Sequence, residues 1–421
     1  MRVLVVGQGG REHAICWKLR QSRQVEALYC APGNGGIAEV ADCVAISEGD
    51  FGALVAFAQA QAIDVTVVGP EKPLLEGIVD TFEAAGLSIF GPNRNAALLE
   101  GSKAFAKELM KKYRIPTARY ESFDSFDAAL DHVRRQGAPI VVKADGLAAG
   151  KGVVVARELS EAERALESIM RDRAFGEAGR RVVVEEYLSG QELTLLAFVD
   201  GEVVRPMVPS QDHKPVFDGD RGPNTGGMGA YSPVPQFSER DIAHAVEAIV
   251  KPTAAAMVQE GRPFRGSLYC GLMLTEHGPK VVEFNVRLGD PEAQAALPRL
   301  KSDLAEIVMA GATGRLAEAD IEWSDEAAVC VVMAAPGYPG SYETGQPITG
   351  LHAASSGGAV VFHAGTKTRD GQIVTCGGRV LGVTGFGRDI RSAREHAYQS
   401  VGRIHFEGAH YRTDIGLRAL L

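Results

Sequence analysis

The first hundred residues repeat one short unit: an apolar strand, a turn rich in glycine or proline, and a helix. Strands are predicted at residues 3–6, 27–30, 65–68 and 88–90. The last two end in Gly69-Pro70 and Gly91-Pro92. Strands that alternate with helices pair in parallel, with helices covering both faces of the sheet. The fold class is therefore α/β, and it begins with an N-terminal doubly wound parallel sheet domain.

The rest of the chain departs from this repeat. A helix is predicted from Lys103 to Tyr113, strands dominate residues 193–284 around a Pro-, Gly- and Asp-rich loop at 209–235, and a third unit begins near Ala327. We expect antiparallel sheets with helices in the centre and a small C-terminal mixed α/β domain. The expected boundaries are residues 1–101, 102–324 with a lid subdomain at about 120–187, and 325–421.

Composition excludes several classes of protein. The net charge of −9 gives no general basic surface for nucleic acid. The six cysteines include no CxxC pair, which argues against a zinc site or a disulfide framework. No stretch approaches the roughly 20 apolar residues of a membrane span. We expect reduced thiols, no membrane partner and a cytoplasmic location.

The turn at Gly7-Gln8-Gly9-Gly10-Arg11-Glu12 joins the first strand to the first helix. Glycines there let an anion approach backbone N–H groups at a helix N-terminus. The dinucleotide fingerprint needs a third glycine where Glu12 stands, and an acid at the end of the second strand, where Tyr29-Cys30-Ala31 is found. A phosphate monoester site at Gly9 and Gly10 fits better than NAD. The same glycines also suit a tight turn without a ligand.

A second glycine-rich loop runs from Lys143 to Gly152. It differs from a P-loop, because three residues rather than four separate Gly146 from Gly150, and glycine follows Lys151. It joins two successive strands, which predicts a flap between antiparallel strands. Such a flap can lie over phosphates with Lys143 beneath them. A structural hairpin with a solvated lysine is the alternative.

The segment 280–287 alternates as a strand does, so Glu283, Asn285 and Arg287 share one face. A carboxylate and an amide oxygen two residues apart suit a hard cation such as Mg²⁺. Arg287 could clamp a carboxylate or a phosphoryl group in bidentate fashion. The alternative is a charged strand face exposed to water.

The loop at 209–235 carries few large apolar side chains, and long loops in compact domains are usually functional. It includes Asp212, His213 and Lys214. A lone histidine is more often structural than catalytic, so His213 receives no role.

Together these segments resemble the phosphoribosylamine–glycine ligase family of the ATP-grasp superfamily. The resemblance spans nearly the whole chain, in order: VVGQGGREHAI (5–15), APGN (31–34), VVGPE (67–71), VVKADGLAAGKGVVVA (141–156), VEEYLSGQE (184–192), SQDHK (210–214), GPNTGGMGAYSP (222–233) and RLGDPEAQ (287–294). It implies that residues 102–324 form an ATP-grasp domain.

The resemblance also implies a reaction. ATP, glycine and 5-phosphoribosylamine would give ADP, phosphate and glycinamide ribonucleotide through glycyl phosphate, in purine biosynthesis. Phosphorylation makes chemical sense because a carboxylate is a poor acyl donor. The expected cofactors are ATP and Mg²⁺ or Mn²⁺, and the expected partners are the two small-molecule substrates. The oligomeric state would be a monomer or a weak dimer.

Site roles are carried over by resemblance. Lys103 and Lys143 would contact phosphates, Gly150, Lys151 and Gly152 would form the flap, and Glu185, Glu186, Leu188 and Glu192 would meet adenosine. Glu283 and Asn285 would bind the metal, and Arg287 would hold the acyl phosphate or its precursor carboxylate. Gly9 and Gly10 would receive the ribosylamine phosphate, and Asp212 and Asp290 would contact amines. Lys143, Arg287, Asp212 and Asp290 form the expected catalytic group.

Three departures from the family pattern lie near the inferred metal or glycine end. Residues 269–274 lack a further metal-binding acid, Pro215 replaces an expected arginine, and Leu288 replaces a usual phenylalanine. Three rivals remain: an ATP-grasp ligase with a different acid or amine, an NAD oxidoreductase, and a non-catalytic nucleotide-binding regulator.

Overall fold

The N-terminal region is a five-stranded parallel sheet with strand order β3-β2-β1-β4-β5. In the computed structural model, which describes residues 1–147 and 152–421, its strands are β1 (Arg2–Gly7), β2 (Ala27–Pro32), β3 (Asp42–Cys43), β4 (Val65–Val68) and β5 (Ile89–Phe90). Its helices are α1 (Gly10–Leu19), α2 (Phe51–Ala60), α3 (Glu71–Glu76), α4 (Ile78–Ala84) and α5 (Arg94–Gly101). The expected doubly wound sheet is confirmed.

The helix α6 (Lys103–Tyr113) begins where the sequence predicted. Ser102 caps it by accepting a hydrogen bond from the Phe105 N–H at 3.1 Å. It ends at Arg114, which takes the left-handed conformation at φ 56°. Residues four apart share a helix face, so Lys103 and Lys107 project in similar directions.

A separate four-stranded antiparallel sheet follows, in the order β6-β9-β7-β8. Its strands are β6 (Tyr120–Phe123), β7 (Ile140–Ala144), β8 (Val153–Ala156) and β9 (Val182–Glu186), with α7 (Phe126–Gln136) and α8 (Leu159–Leu166) against them. These elements bury a hydrophobic cluster of their own, which includes Val133, Val142 and Leu166. We call this unit the lid sheet. The predicted antiparallel pairing around the glycine flap is confirmed, since Lys143 pairs with Val153.

The central sheet has the order β11-β10-β16-β17 and is antiparallel throughout. Its strands are β10 (Gln191–Asp200), β11 (Val203–Pro206), β16 (Arg265–Thr275) and β17 (Gly278–Asn285). The accompanying helices are α9 (Glu239–Ala245), α10 (Lys251–Gln259), α11 (Glu292–Ala296) and α12 (Leu304–Ala312).

The loop predicted at 209–235 contains strands, so that expectation was wrong. They are β12 (Gln211–Asp212), β13 (Pro215–Phe217), β14 (Arg221–Asn224) and β15 (Gly229–Ser232). Two of them, β12 and β15, join the sheet of the C-terminal region. They are followed in that sheet by β18 (Ala327–Ala334), β22 (Arg379–Gly387) and β19 (Val360–His363), in this order. The pairing of β15 with β18 is antiparallel and matches Gly229 with Val331. The sheet therefore crosses the boundary expected between residues 324 and 325.

The C-terminal region completes this sheet, which is antiparallel throughout, and adds a separate two-stranded sheet. Its elements are β18 (Ala327–Ala334), β19 (Val360–His363), β20 (Thr366–Arg369), β21 (Gln372–Thr375), β22 (Arg379–Gly387), α13 (Leu351–Ser355) and α14 (Ile390–Val401). The side chains of β18 are all buried. In the described part of the chain, no helix is long and apolar enough to cross a membrane.

Candidate active site

One cavity of about 1660 Å³ collects most of the predicted site residues. Its walls come from α6, the lid sheet, the central sheet and the C-terminal region. The predicted residues that line it are Lys103, Lys143, Gly152, Glu185, Glu186, Leu188, Glu192, Asp212, Glu283, Asn285, Arg287 and Asp290. Gly150 and Lys151 lie outside the described residues.

Two buried lysines share one carboxylate beside this cavity. The Nζ of Lys143 lies 2.8 Å from Glu185 Oε1, and the Nζ of Lys107 lies 2.9 Å from Glu185 Oε2. In register, Glu185 faces Val141, so Lys143 is its diagonal neighbour on the same sheet face. The direction of the Lys143 contact is not that of a hydrogen bond, and Glu185 Oε1 accepts none. Two ammonium groups therefore share one carboxylate, one oxygen of which accepts no hydrogen bond.

Both lysines are further anchored. Lys143 donates to the Val282 carbonyl at 2.8 Å, and Lys107 donates to Thr117 Oγ1 at 2.8 Å. Burial lowers the pKa of Lys107 to about 8, although Glu185 opposes this change. Lys103 is less enclosed and donates to the Gly146 carbonyl at 3.0 Å. Its pKa is also lowered by burial.

The hinge between the lid sheet and the central sheet supplies the predicted adenosine contacts. The Glu186 carboxylate accepts from the Arg119 backbone N–H at 3.0 Å and from Lys280 Nζ at 3.2 Å. Its other oxygen accepts from Arg119 Nε at 2.7 Å, so both carboxylate oxygens are bound by protein groups. Glu192 keeps a side chain that is 43% exposed toward the cavity.

The predicted metal pair occupies one face of β17. Glu283, Asn285 and Arg287 line the cavity. The pairing of β17 with β16 has a register shift between Gly271 and Leu272, next to Glu283. Glu283 Oε1 lies 3.4 Å from the Nζ of Lys214. The pKa of Glu283 is lowered, mainly by Lys214. Asn285 Oδ1 accepts from Arg287 Nη2 at 3.3 Å.

Arg287 is held by acids from the N-terminal region. Its Nε donates to Glu71 Oε2 at 3.1 Å, and its Nη2 donates to Glu100 Oε1 at 3.3 Å. Its Nη1 donates to the Leu288 carbonyl at 3.3 Å. Burial opposes the charge, but Glu100 and Glu71 outweigh it and raise the pKa of Arg287. With Asn285 also bound, four of five N–H groups are engaged, so bidentate clamping would require an exchange of partners.

Asp212 is a buried acid at the end of β12. Its carboxyl is 6% exposed, and burial raises its pKa to about 7, while Lys214 opposes this rise. The neighbouring His213 packs its ring 5.9 Å from that of Tyr231. Burial lowers the His213 pKa to about 3, and its ring nitrogens have no hydrogen-bond partner among the described residues. Asp212 can therefore change charge near neutral pH, whereas His213 stays neutral.

Asp290 links the central and C-terminal regions. Its Oδ2 lies 3.1 Å from Arg379 Nη2, and its Oδ1 accepts from Gln294 Nε2 at 2.7 Å. Arg379 also donates to the Gly226 carbonyl at 2.7 Å. Burial raises the Asp290 pKa, but Arg379 outweighs it and the net shift is downward. Both oxygens of Asp290 are engaged by the protein.

Gly9 and Gly10 lie at the start of α1 but outside the cavity lining described above. The Gly9 N–H donates to Glu12 Oε2 at 2.6 Å. Glu12 in turn pairs with Arg11, whose Nε lies 2.5 Å from Glu12 Oε1. The Gly10 position faces the Gln294 amide, which a Cβ would meet at 2.6 Å. A phosphate at Gly9 would have to displace Glu12.

Three family models cover the chain. They are phosphoribosylglycinamide synthetase N domain at residues 1–100, ATP-grasp (A) domain at 101–293, and C domain at 328–418. The chain belongs to the phosphoribosylglycinamide synthetase family. The resemblance inferred from the sequence motifs is confirmed.

Full-length relatives agree with this family. A phosphoribosylamine–glycine ligase of Halalkalibacterium halodurans is 55% identical over 420 residues, covering 100% of this chain and 97% of the relative. One from Escherichia coli strain K12 is 52% identical, covering 100% and 99%. The crystal structure of the Thermotoga maritima phosphoribosylamine–glycine ligase is 36% identical, with a TM-score of 0.85 over 99% of this chain and 100% of that chain.

A more distant neighbour shows the fold alone. The biotin carboxylase domain of Hydrogenobacter thermophilus 2-oxoglutarate carboxylase, solved with magnesium ADP, is 15% identical with a TM-score of 0.74. It covers 97% of this chain and 91% of its own. The α/β fold class is confirmed by these structural matches, and the family model of residues 101–293 identifies the central region as ATP-grasp.

Several cavity residues were missed from the sequence. They are Arg11, Glu71, Glu100, Lys107, Lys214, Tyr269, Glu292 and Arg379. The spacing of Lys107 from Lys103 was a usable signal, because the two lysines are four positions apart on one helix. The acids at 71 and 100 gave no local signal, since their partner Arg287 lies 216 and 187 residues away in the chain.

Proposed function

We propose that this chain is an ATP- and Mg²⁺-dependent ligase that joins glycine to 5-phosphoribosylamine. The products would be glycinamide ribonucleotide, ADP and phosphate, in purine biosynthesis. The observation that carries the proposal is one cavity lined by Lys103, Lys143, Glu283, Asn285 and Arg287 in a chain of this family. Cations, a carboxylate and an amide oxygen together suit the phosphates of a nucleotide and their metal ion.

The residues around Glu185 fit a nucleotide. Its Oε1 is buried without a hydrogen bond and can accept one from an amino group such as that of adenine. Lys143 still has N–H groups to offer, since the Val282 carbonyl takes one of its three and Glu185 accepts no hydrogen bond from it. Glu192 is exposed enough to accept from ribose hydroxyls. We propose that Glu186, Leu188 and Gly152 contact the same nucleotide. We also propose that Gly150 and Lys151 belong to the flap over its phosphates.

The donor set on β17 fits a hard divalent cation. Glu283 and Asn285 offer oxygens on one strand face, and Mg²⁺ or Mn²⁺ completes its shell with water and phosphate oxygens. The cation would neutralise charge on the phosphates while phosphoryl transfer proceeds. Lys214 and Arg287 now contact these oxygens and would shift when the cation binds.

The chain's own residues supply position and charge for two steps. In the first, the glycine carboxylate attacks the terminal phosphate, and Lys103, Lys143 and Arg287 offset the developing negative charge. Glycyl phosphate and ADP result. Glu71 and Glu100 hold Arg287 at the cavity before the substrate arrives, and one of its N–H groups would exchange its partner for the substrate.

In the second step the amine of phosphoribosylamine attacks the acyl carbon and phosphate leaves. The amine must lose a proton, and Asp212 suits that task because burial brings its pKa to about 7. We assign Gly9 and Gly10 to the ribosylamine phosphate, with Glu12 moving aside. Asp290 would lie near the amine. It would act there through Arg379, with which it forms an ion pair.

A product assay with each substrate omitted tests this function. Formation of glycinamide ribonucleotide should require ATP, glycine and phosphoribosylamine together, and other amino acids should not replace glycine. Phosphate release that ignores both glycine and the amine would reject the assignment. Amide formation with a different acid or amine would favour the rival ATP-grasp ligase.

We also propose the domain division 1–101, 102–324 and 325–421, with the lid at about 120–187. The lid proposal is supported by its separate sheet and hydrophobic cluster. A monomer or weak dimer in the cytoplasm, without nucleic-acid or membrane partners, completes the proposal. The net charge of −9 on the chain supports the exclusion of nucleic-acid partners.

A further inference from the structure

Lys214 lies between two acids of the proposed nucleotide site. Its Nζ is 3.4 Å from Glu283 Oε1 and 4.0 Å from Glu192 Oε2. The two acids belong to different strands of the central sheet, β17 and β10, while Lys214 follows β12. The side chain is 28% exposed and lines the cavity, so a ligand can reach it.

The metal site offered by β17 contains a single carboxylate. On the neighbouring strand, Gly271 pairs with Glu283, and a Cβ at Gly271 would lie 3.1 Å from Glu283 Cγ. Residues 269–274 include no acid that could share the cation. Among the residues that the structure describes, no group of three or more His, Cys, Asp or Glu side chains has metal-binding geometry. Glu283 is therefore central to any cation bound here.

The Glu283 carboxylate is therefore the partner of two cations, the Lys214 ammonium and the divalent ion. We propose that Lys214 is an internal counter-ion that holds Glu283 while the nucleotide is absent and yields it to the divalent ion that arrives with the triphosphate. This inference rests on the proposed function, in which Glu283 binds the metal. A lysine suits such an exchange because its ammonium is a compact charge on a flexible stem.

The surrounding charge explains why the exchange would depend on nucleotide. Lys103, Lys143 and Lys214 all line the cavity, so a free divalent cation meets a site that already carries positive charge. A triphosphate brings enough negative charge to accommodate both the metal and the lysines. Glu192, 4.0 Å away, keeps the displaced ammonium inside the cavity. Binding of the divalent ion thereby depends on binding of the nucleotide.

A purely structural lysine would behave differently. If Lys214 only joined the segment after β12 to β17, its removal would loosen Glu283 and weaken metal binding. A competing counter-ion has the opposite effect, because its removal frees the carboxylate. The sign of the change in metal affinity therefore separates the two roles.

The test uses the full-length chain without nucleotide and Mn²⁺ as the probe, with free Mn²⁺ followed by electron paramagnetic resonance. Lys214→Met should bind Mn²⁺ about tenfold or more tightly than the wild type, the effect of losing one charged contact. Lys214→Gln is a second neutral variant with the same expectation. Lys214→Arg keeps the charge and should stay near the wild type. Lys251→Met is the matched control, because Lys251 pairs with Glu247 on an exposed helix.

Glu283→Gln completes the test. Added to Lys214→Met, it should abolish the gain in Mn²⁺ affinity. Unchanged or weaker Mn²⁺ binding in both neutral variants overturns the inference, as does a gain that survives Glu283→Gln. When the inference is overturned in this way, the Glu283→Gln single variant separates two outcomes. If it weakens Mn²⁺–ATP binding, the proposed metal site stands and only the counter-ion role of Lys214 fails. If it leaves Mn²⁺–ATP binding intact, the metal assignment fails as well.

Discussion

Replacing Lys143 by methionine is the sharpest test of the phosphate assignment. The change keeps the length of the stem and removes the ammonium, which lies 2.8 Å from Glu185 Oε1 and donates to the Val282 carbonyl. Lys107 provides a matched comparison, because its ammonium contacts the other oxygen of the same carboxylate at 2.9 Å. Each variant removes one ion pair to Glu185 and leaves the second one in place.

The expected magnitudes differ because only Lys143 is assigned a phosphate contact. A hydrogen bond to a charged group contributes about 1.5–3 kcal/mol. At 1.36 kcal/mol per factor of ten, its loss lowers kcat/KM for ATP about 10- to 150-fold in Lys143→Met. Lys107→Met disturbs Glu185 without removing a phosphate contact, so we expect less than about a tenfold loss.

The assay is initial-rate product formation at subsaturating ATP with glycine and phosphoribosylamine in excess. Circular dichroism melting of both variants checks that each chain folds. Equal losses in Lys143→Met and Lys107→Met would mean that Lys143 acts through Glu185 alone. An unchanged rate for Lys143→Met at low ATP would refute the phosphate contact.

Three further predictions concern the metal, the proton acceptor and the contact between terminal regions. Glu283→Gln should raise the Mg²⁺ concentration needed for half-maximal rate, and an unaltered Mg²⁺ titration would exclude this residue from the metal shell. Because burial raises the Asp212 pKa to about 7 and the carboxylate is the active form, the rate should rise as pH increases through about 7 and fall below it. Asp212→Asn should lower the rate and remove this rise from the pH–rate profile, whereas a rise that persists would point to another group. Gly36→Ala should cost about 1–3 kcal/mol of stability, because its Cβ would overlap the His363 ring, whereas Gly49→Ala meets nothing within 4 Å. Equal melting temperatures for these two glycine variants would contradict the close contact.

Local patterns in the sequence were sufficient for much of the fold. The helix was predicted from Lys103 to Tyr113, and both boundaries are confirmed. The alternation of Glu283, Asn285 and Arg287 predicted that the three side chains meet, and all three line one cavity, although β17 ends at Asn285 and Arg287 lies beyond it. These features depend on periods of 3.6 and 2 residues, which are visible within a short window.

Long-range pairing was not predictable in the same way. The segment 209–235 looked like a loop because its strands are short and rich in glycine and proline. The strand β15 pairs with β18, which lies about a hundred residues later. Similarly, Arg287 was expected to be free for a substrate, yet acids at 71 and 100 hold it. Such contacts arise only when distant segments meet in the folded chain.

The position of β15 inside its sheet limits where the chain can be truncated. Its backbone pairs with β12 on one side and with β18 on the other. A chain shortened before residue 327 would leave β15 as an exposed edge with unpaired N–H and C=O groups, which favours aggregation. Expression of residues 1–324 alone should therefore yield insoluble protein. By contrast, the lid sheet keeps its strands and hydrophobic cluster to itself and is the better candidate for excision.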